Sequence, residues 1–355
     1  MKTPTVTVIV PAYGVEAWLE ETLNSVASQT LRSLEVIIVN DASVDKSLNI
    51  ADSFAKKDPR FTVVSHQKNL GLGGSRNTGV RHATGKYLYF LDGDDLLPTK
   101  ALAQLVAAAE KHNADIVLSD AYVFQDGCPS LALDLDYPVH PTFKEKLPTD
   151  SVFTWRLFSN DYTLLMPSTF TTTCWAKLFK TEIWKKLRCE VPDNLRMAED
   201  FIPVKRYIFS AERMVASKYA SLLYRKRSGS ATTKRSPRAF ELFRAITPAI
   251  KMFKDVGVYS ELEPEIYRFF SQILGEHLFK FAPVDLWFSY YKKAATLLNQ
   301  LAQAEQPKDT LYTWRTPSFL DFCIFCCNYF TTKYIEPYWE KVKCLMRKTL
   351  RPLVR

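Results

Sequence analysis

The sequence lacks the marks of several common protein classes. Its seven cysteines are odd in number and scattered, so they indicate no disulfide framework and favour a reducing compartment. Its five histidines show no spacing typical of metal ligands, and the 355 residues contain no internal repeat and no low-complexity tract. Met1–Pro4 runs directly into a strand-like segment instead of a secretory signal. From these features we expect a globular protein of the cytoplasm.

Long apolar runs are also missing. The run Phe319–Phe330 contains Asp321 and is too short to span a bilayer. Residues 331–355, which follow it, carry seven basic and two acidic side chains, more than half of the net charge of +9. An aromatic stretch followed by a basic tail predicts a helix that lies on an anionic membrane surface. A helix docked on the protein's own core, with a solvated basic end, is the alternative.

The chain is long enough for two domains. In its first 120 residues, β-branched runs alternate with helical patterns, which predicts an α/β fold with a mostly parallel sheet flanked by helices. The predicted strands are Val6–Val10, Leu34–Val39, Phe61–Ser65, Tyr87–Leu91 and Ile116–Ser119, and the predicted helices are Ala17–Ser28, Lys46–Lys57, Leu72–Ala83 and Lys100–His112. From Arg238 the pattern is mainly helical, so we expect one domain over 1–236 and a helical region with a basic tail over 237–355.

The most informative segment is Asp92–Asp95, which reads Asp-Gly-Asp-Asp and follows the apolar segment Lys86–Leu91. Clustered carboxylates are costly at the end of a buried strand unless a cation compensates their charge. The carboxyl ends of strands are also where open α/β sheets place their ligands. The segment therefore predicts a divalent-metal site that holds the diphosphate of a nucleotide. A solvated acidic turn that begins a helix is the alternative.

Polar residues recur where the other predicted strands end. Pro11–Tyr13 follows the first strand, Asn40–Ser43 the second and Asn69–Gly71 the third. In a parallel sheet these segments gather at one edge together with Asp92–Asp95, where they predict a nucleotide pocket.

The segment Gly71–Asn77 adds flexibility and charge to that edge. Its three glycines would allow close backbone approach to phosphates, and Arg76 would place a cation beside them. Tyr13 would border a base, and the Asp41 carboxylate would accept an N–H from it. A flexible loop before a helix is the alternative for the glycines taken alone.

In order and spacing, these segments resemble the family 2 glycosyltransferases. The motifs that carry the resemblance are Val8–Tyr13, Val39–Asp45, Asn69–Gly79 and Leu91–Asp95. The similarity is close over the first 120 residues and looser as far as Ser230. It implies a GT-A (Rossmann-like) fold and inverting transfer of a sugar from a nucleotide-sugar, with a UDP-sugar favoured. It also implies a divalent metal cofactor, Mn²⁺ or Mg²⁺.

The resemblance assigns roles to particular residues. The nucleotide-sugar-binding positions that it implies are Pro11, Tyr13, Asp41, Arg76, Asp92, Asp94 and Arg225. Among them Asp41 is expected to face the base, Asp92 the ribose and Asp94 the metal. Arg225 lies in a segment, Tyr224–Ser230, that resembles the family's arginine–serine loop over the diphosphate.

The pair Glu199-Asp200 resembles the family's catalytic-base motif, with Asp200 as the base. A hydroxyl nucleophile must lose its proton as it attacks, and a carboxylate within hydrogen-bond reach contributes typically ~10²–10⁴-fold. Glu199 and Trp175 are candidates for the acceptor side, Trp175 because an indole face suits a sugar ring. The alternative for Glu199-Asp200 is an acidic pair that a helix dipole favours. The alternative for Trp175 is an ordinary core residue.

Two other functions stay open from the sequence. A sugar-phosphate nucleotidyltransferase needs a glycine-rich arginine loop after the first strand, where this chain has Pro11–Gly14. A non-catalytic carbohydrate-binding or scaffold subunit does not need the acidic sets at Asp92–Asp94 and Glu199–Asp200. No nucleic acid partner is expected, because basic and aromatic residues do not interleave in a recognisable binding module.

The transferase hypothesis also predicts the cellular setting. The acceptor would be a glycan or a lipid-linked glycan in bacterial surface polysaccharide biosynthesis, as in lipopolysaccharide or capsule. The basic tail would hold the protein on the cytoplasmic face of the inner membrane. Acceptor choice would lie in the segment Asp120–Phe170, which matches no pattern.

Overall fold

The computed structural model describes residues 3–127, 133–138, 143, 145, 147–158, 172–192, 195, 198–227 and 236–301. The chain divides into two compact units, Met1–Thr233 with Arg244–Glu261 and Lys234–Phe243 with Leu262–Arg355. The domain boundary after residue 236 stays a prediction. The predicted membrane-binding tail lies outside the described residues.

The first unit alternates strands and helices as the sequence predicted. Its strands are β1 Val6–Ala12, β2 Leu34–Asn40, β3 Phe61–Ser65, β4 Tyr87–Phe90, β5 Ile116–Leu118, β6 Ala121–Gln125, β7 Val152–Phe153, β8 Lys177–Lys180, β9 Met214–Ala216 and β10 Leu222–Lys226. Its helices are α1 Leu19–Ala27, α2 Ser47–Lys57, α3 Gly71–His82, α4 Ala101–His112, α5 Thr181–Lys186 and α6 Phe201–Ser210. The five strands and four helices predicted in the first 120 residues are confirmed.

The main sheet has eight strands in the order β3-β2-β1-β4-β8-β5-β9-β7. Strand β1 pairs in parallel with β2 on one side and β4 on the other, and β2 pairs in parallel with β3. The predicted parallel arrangement therefore holds for this half. The other half is mixed, because β8 runs antiparallel to both β4 and β5. Strands β6 and β10 form a separate parallel pair.

Burial explains why these segments form the sheet. Every residue of β1 and β4 is buried, as expected for strands covered by helices on both faces. Helix α3 lies very close to the sheet: a Cβ atom added at Gly79 would fall 2.3 Å from Ile9 Cγ2. Only glycine permits this approach, which brings the side chains of α3 to the edge where the strands end.

Residues 237–301 are mainly helical, which confirms the prediction of a helical C-terminal region. The helices that follow α6 along the chain are α7 Leu242–Asp255, most of which belongs to the first unit, α8 Tyr259–Lys280 and α9 Trp287–Leu301. Within the second unit the Tyr290 ring lies 5.1 Å from Phe240 and 4.7 Å from Phe243, centroid to centroid. In the part of the chain that the structure describes, no helix combines the length and apolarity needed to cross a bilayer.

Candidate active site

The carboxyl ends of β1 and β2 meet at one edge of the sheet, because these strands are parallel neighbours. Asp41 follows β2, and its N–H donates to the Ala12 carbonyl oxygen at 3.0 Å. Its buried carboxylate accepts the N–H groups of Leu70 and Gly71, each at 2.8 Å, and lies 2.7 Å from His66 Nδ1. A carboxylate at this position stabilises the first turn of α3. The base-binding role of Asp41 stays a prediction.

The acidic turn packs against the end of β1. A Cβ atom added at Gly93 would lie 2.9 Å from the Pro11 carbonyl oxygen, so this position requires glycine. Pro11 is buried, whereas Tyr13 is 54% exposed. The structure thus brings Pro11 to the turn Asp92–Asp95, and the nucleoside-binding roles of Pro11 and Tyr13 stay predictions.

Arg76 joins the parts of the site that are farthest apart in sequence. Its side chain projects from α3 and is 3% exposed. Its Nη2 donates to Asp92 Oδ1 at 2.9 Å, whereas its Nη1 donates to Asp200 Oδ1 and lies 3.4 Å from Glu199 Oε1. The acidic turn after β4 and the acidic pair before α6 therefore share one guanidinium group.

Burial and neighbouring carboxylates both raise the pKa values of acidic groups at this site. Burial raises the pKa of Asp92, and Asp94 and Asp200 raise it further, although Arg76 opposes them. Burial and the neighbouring Asp200 also raise the pKa of Glu199. Burial, followed by repulsion from Asp92, raises the pKa of Asp95 to about 9. Burial is the first cause of each shift, and repulsion among the neighbouring carboxylates adds to it.

Asp94 contacts an arginine that the sequence did not single out. Its Oδ2 lies 2.6 Å from Nε of Arg227, whose guanidinium group lies 4.2 Å from the centroid of the Trp18 ring. Arg227 comes directly after β10, two residues beyond Arg225. The signal that would have found it is the second arginine of the Tyr224–Ser230 segment.

Arg225, unlike Arg227, is held by hydrogen bonds to several parts of the fold. All three of its guanidinium nitrogens donate to protein oxygens: to the Asp94 carbonyl at 2.7 Å, to Asp126 at 2.9 Å and to Glu21 at 2.6 Å. Its backbone N–H donates to Asp95 Oδ1 at 2.8 Å. Arg225 thus ties β10 to the acidic turn, and its role in nucleotide-sugar binding stays a prediction.

The acidic turn fits a divalent cation that a diphosphate helps to bind. Asp94 and Asp95 supply the hard oxygen ligands that Mg²⁺ and Mn²⁺ prefer. Asp95 Oδ2 is buried and has no hydrogen-bond partner among the described residues. Across those same residues, no three His, Cys, Asp or Glu side chains are grouped as an all-protein metal site. Nucleotide enzymes bind Mg²⁺ through one or two carboxylates and the phosphates of the substrate, which this turn allows.

The surroundings of Asp200 include Trp175. The backbone N–H of Cys174 donates to Asp200 Oδ2 at 2.9 Å, which places Trp175 next in sequence to a residue that contacts the predicted base. The Trp175 ring lies 5.9 Å from the Tyr224 ring, with their planes 33° apart. Glu199 lies at this site beside Arg76, whereas the Trp175 ring packs against Tyr224 and the core; the acceptor roles of both residues stay predictions.

Comparison with known proteins identifies the family of this chain. The pattern of the family described as Glycosyl transferase family 2 matches residues 7–188, just over half of the chain. The chain belongs to glycosyl transferase family 2. The resemblance seen in the motifs is thereby confirmed.

Several bacterial glycosyltransferases are similar in sequence. The uncharacterized glycosyltransferase EpsJ of Bacillus subtilis is 32% identical over 230 residues, which cover 64% of this chain and 63% of EpsJ. Glycosyltransferase GlyA of Streptococcus pneumoniae is 29% identical over 308 residues, which cover 85% of this chain and 42% of GlyA. The chain thus spans less than two thirds of the length of either relative.

Solved structures support the fold. TarS residues 1–349 of Staphylococcus aureus, in complex with UDP-GlcNAc, superimpose with a TM-score of 0.63 at 21% identity. The match covers 84% of this chain and 83% of that structure. The mannosyltransferase PcManGT of Pyrobaculum calidifontis, in complex with GDP-Man and Mn²⁺, gives a TM-score of 0.50 at 21% identity and covers 94% and 88% of the two chains. The predicted GT-A fold is confirmed.

Proposed function

We propose that this protein transfers a sugar from a nucleotide-sugar to a hydroxyl group of a glycan or lipid-linked acceptor. The observation that carries the proposal is the cluster around Arg76, where Asp92 of the donor-side turn and Asp200 bind the same guanidinium group. A displacement at an anomeric carbon needs a proton acceptor for the nucleophile and charge compensation for the leaving group. In this proposal the cluster lines a crevice for the two substrates, and its carboxylates are suited to both tasks.

In this proposal Asp200 is the general base. Arg76 and the Cys174 N–H bind its two carboxylate oxygens, which fixes the orientation of the carboxylate in the crevice. The proton of the acceptor hydroxyl would pass to Asp200 as the new C–O bond forms.

The donor side of the crevice would bind the diphosphate. Asp94 would hold the divalent cation, with Asp92 and Asp95 beside it, and Asp92 would contact the ribose. A bound cation would neutralise the charge that grows on the departing diphosphate. Arg227 next to Asp94 provides a second positive charge for the same oxygens. Pro11, Tyr13 and Asp41 would line the nucleoside part of the pocket, with Arg76 and Arg225 nearer the phosphates.

A UDP-sugar is the proposed donor. The support comes from TarS, whose complexes contain UDP or UDP-GlcNAc, and it is strengthened by the superposition over more than four fifths of the chain. The mannosyltransferase complex contains a different nucleotide-sugar, GDP-Man, together with Mn²⁺. Both neighbours support a nucleotide-sugar donor, and the second supports a divalent cation.

The release of UDP tests this function. We expect the protein, incubated with Mn²⁺ and a panel of UDP-sugars, to release UDP from at least one of them by slow hydrolysis. Excess EDTA should abolish the release, because the leaving diphosphate would lose its compensating charge. A coupled UDP assay measures both results. Failure to release nucleotide from any UDP-sugar or GDP-mannose, with or without a glycan acceptor, would contradict the proposal.

The acceptor and the location are proposed from the wider family and the sequence. TarS of Staphylococcus aureus is a poly(ribitol-phosphate) β-N-acetylglucosaminyltransferase, and it is 28% identical over 226 residues. This supports an acceptor in bacterial surface polysaccharide biosynthesis. We place the protein in the cytoplasm, against the inner membrane through its basic tail. Co-sedimentation with anionic vesicles, compared with and without residues 315–355, tests the membrane contact, and equal binding would contradict it.

A further inference from the structure

Lys177 is a fully buried lysine that has no part in the proposed chemistry. It begins β8, which lies between β4 and β5 in the middle of the sheet. Burying an ammonium group is costly unless it is hydrogen-bonded. Lys177 Nζ donates to Thr173 Oγ1 and to the Trp175 carbonyl oxygen, each at 3.2 Å, and lies 5.8 Å from the centroid of the Trp175 ring. A methionine would fill this position without that cost.

The backbone turns sharply just before Lys177. Ala176 has a φ of +53°, a left-handed conformation that an alanine seldom adopts. Residues held in such conformations cluster at functional sites, where the surrounding contacts compensate the strain. Here the contacts of Lys177 with Thr173 and Trp175 close the turn.

These contacts surround an amide that belongs to the site. Thr173 and Trp175 flank Cys174, whose backbone N–H donates to Asp200 Oδ2 at 2.9 Å. By binding the residue on each side, the ammonium group fixes the direction of that N–H. The same contact fixes the carbonyl of Trp175, whose ring packs beside Tyr224.

We propose that Lys177 is a positioning residue for sugar transfer: it holds the segment Thr173–Trp175 so that the Cys174 N–H orients the Asp200 carboxylate. The inference rests on the proposed function, since it takes Asp200 as the base. Lys177 does not touch the substrate in this scheme. It acts through Cys174, and its loss should therefore slow the chemical step without weakening donor binding.

The hydrogen bonds from Lys177 to Thr173 and Trp175 do not depend on the charge of Lys177. Burial lowers the pKa of Lys177 to about 7, while Cys174 and Asp200 raise it. The second buried lysine nearby, Lys205, has its pKa lowered by burial and by Lys177. An ammonium group has three N–H donors and a neutral amine has two, so either form of Lys177 can donate to both acceptors.

The test replaces Lys177 with methionine in the full chain. The assay uses the UDP-sugar from which the wild-type protein releases UDP fastest. We expect the kcat of UDP release to fall about 10- to 100-fold, because small misplacements of a catalytic group cost this much. The KM for that donor and the Kd of UDP with Mn²⁺ should stay within about twofold, since ground-state binding is kept. Lys180→Met is the matched control on the same strand. Its side chain pairs with Glu182 at 3.4 Å, and kcat should be unchanged.

A second variant tests the same role if the Lys177→Met protein does not fold. Thr173→Val keeps the shape of the side chain and removes one acceptor of Lys177, so it should lower kcat about threefold or more with UDP binding preserved. Unchanged kcat in Lys177→Met, or in Thr173→Val if the first variant does not fold, would overturn the positioning role. A parallel loss of UDP binding would also overturn it. An Asp200→Asn variant that turns over normally would instead overturn the proposed function, which separates the two failures.

Discussion

Replacing Asp200 with asparagine is expected to lower the rate of sugar transfer about 10²–10⁴-fold, the usual contribution of a general base. Asparagine keeps the size of the side chain and an oxygen that can accept the Cys174 N–H, but it cannot take a proton from the acceptor hydroxyl. Initial rates with saturating donor and acceptor measure the loss. Binding of UDP should survive, because Asp200 belongs to the acceptor side of the proposed crevice.

The control for this variant is Asp58→Asn. Asp58 also pairs with an arginine, since its Oδ2 lies 2.6 Å from Nη2 of Arg60, but this pair lies at the C-terminal end of α2. Its replacement should leave the transfer rate unchanged. Normal turnover by the Asp200→Asn variant would contradict the assignment of the base.

Replacing Arg76 with methionine is expected to cost about 3–5 kcal/mol of unfolding free energy, the usual result of removing one partner from a buried ion pair. Arg76 is buried and contacts Asp92, Glu199 and Asp200. Without its guanidinium group these carboxylates would face one another with no compensating charge. Denaturation by urea, followed by circular dichroism, measures the change.

Arg60→Met provides the comparison for that loss. The Arg60 and Asp58 side chains are 22% and 25% exposed, and exposed pairs contribute only about 0–1 kcal/mol. A small and equal loss in both variants would contradict the view that Arg76 compensates a crowded acidic crevice. A large loss in Arg76→Met alone would support it.

The sequence predicted the parallel half of the sheet because its strands are continuous apolar runs. Val6–Ala12 and Tyr87–Phe90 are buried along their whole length, and no amphipathic helix has that pattern. Strand β8 was not predicted. It has only four residues, two of which are lysines, and it is defined by antiparallel pairing with strands that are distant in sequence.

The position of the site could be predicted, but its internal contacts could not. Parallel strands end at one edge, so the convergence of Asp41 and Asp92–Asp95 follows from topology alone. The bridge from Asp92 through Arg76 to Asp200 depends on how α3 and α6 pack, and no local pattern encodes a contact over 124 residues. Arg227 stands in the predicted Tyr224–Ser230 segment, but its contact with Asp94 also forms only in the folded chain.

The histidines illustrate a related limit. They have no ligand spacing, yet His66 lies 2.7 Å from Asp41 and 2.8 Å from the Thr78 hydroxyl, at the edge of the predicted nucleoside pocket. Its contacts come from the residue after β2 and from within α3, which meet it only in the folded chain. Spacing rules detect metal ligands, and they carry no information on a histidine that supports a carboxylate.

The most direct test of the two-sided crevice is the affinity of UDP for Asp94→Asn and Asp200→Asn, measured side by side by calorimetry with Mn²⁺. We expect the Kd to rise at least about 10-fold in Asp94→Asn, since a ligand of the cation is lost, and to stay close to the wild-type value in Asp200→Asn. Equal Kd values in both variants and the wild type, or a loss in Asp200→Asn alone, would contradict the division of the site into a donor side at Asp94 and a base at Asp200.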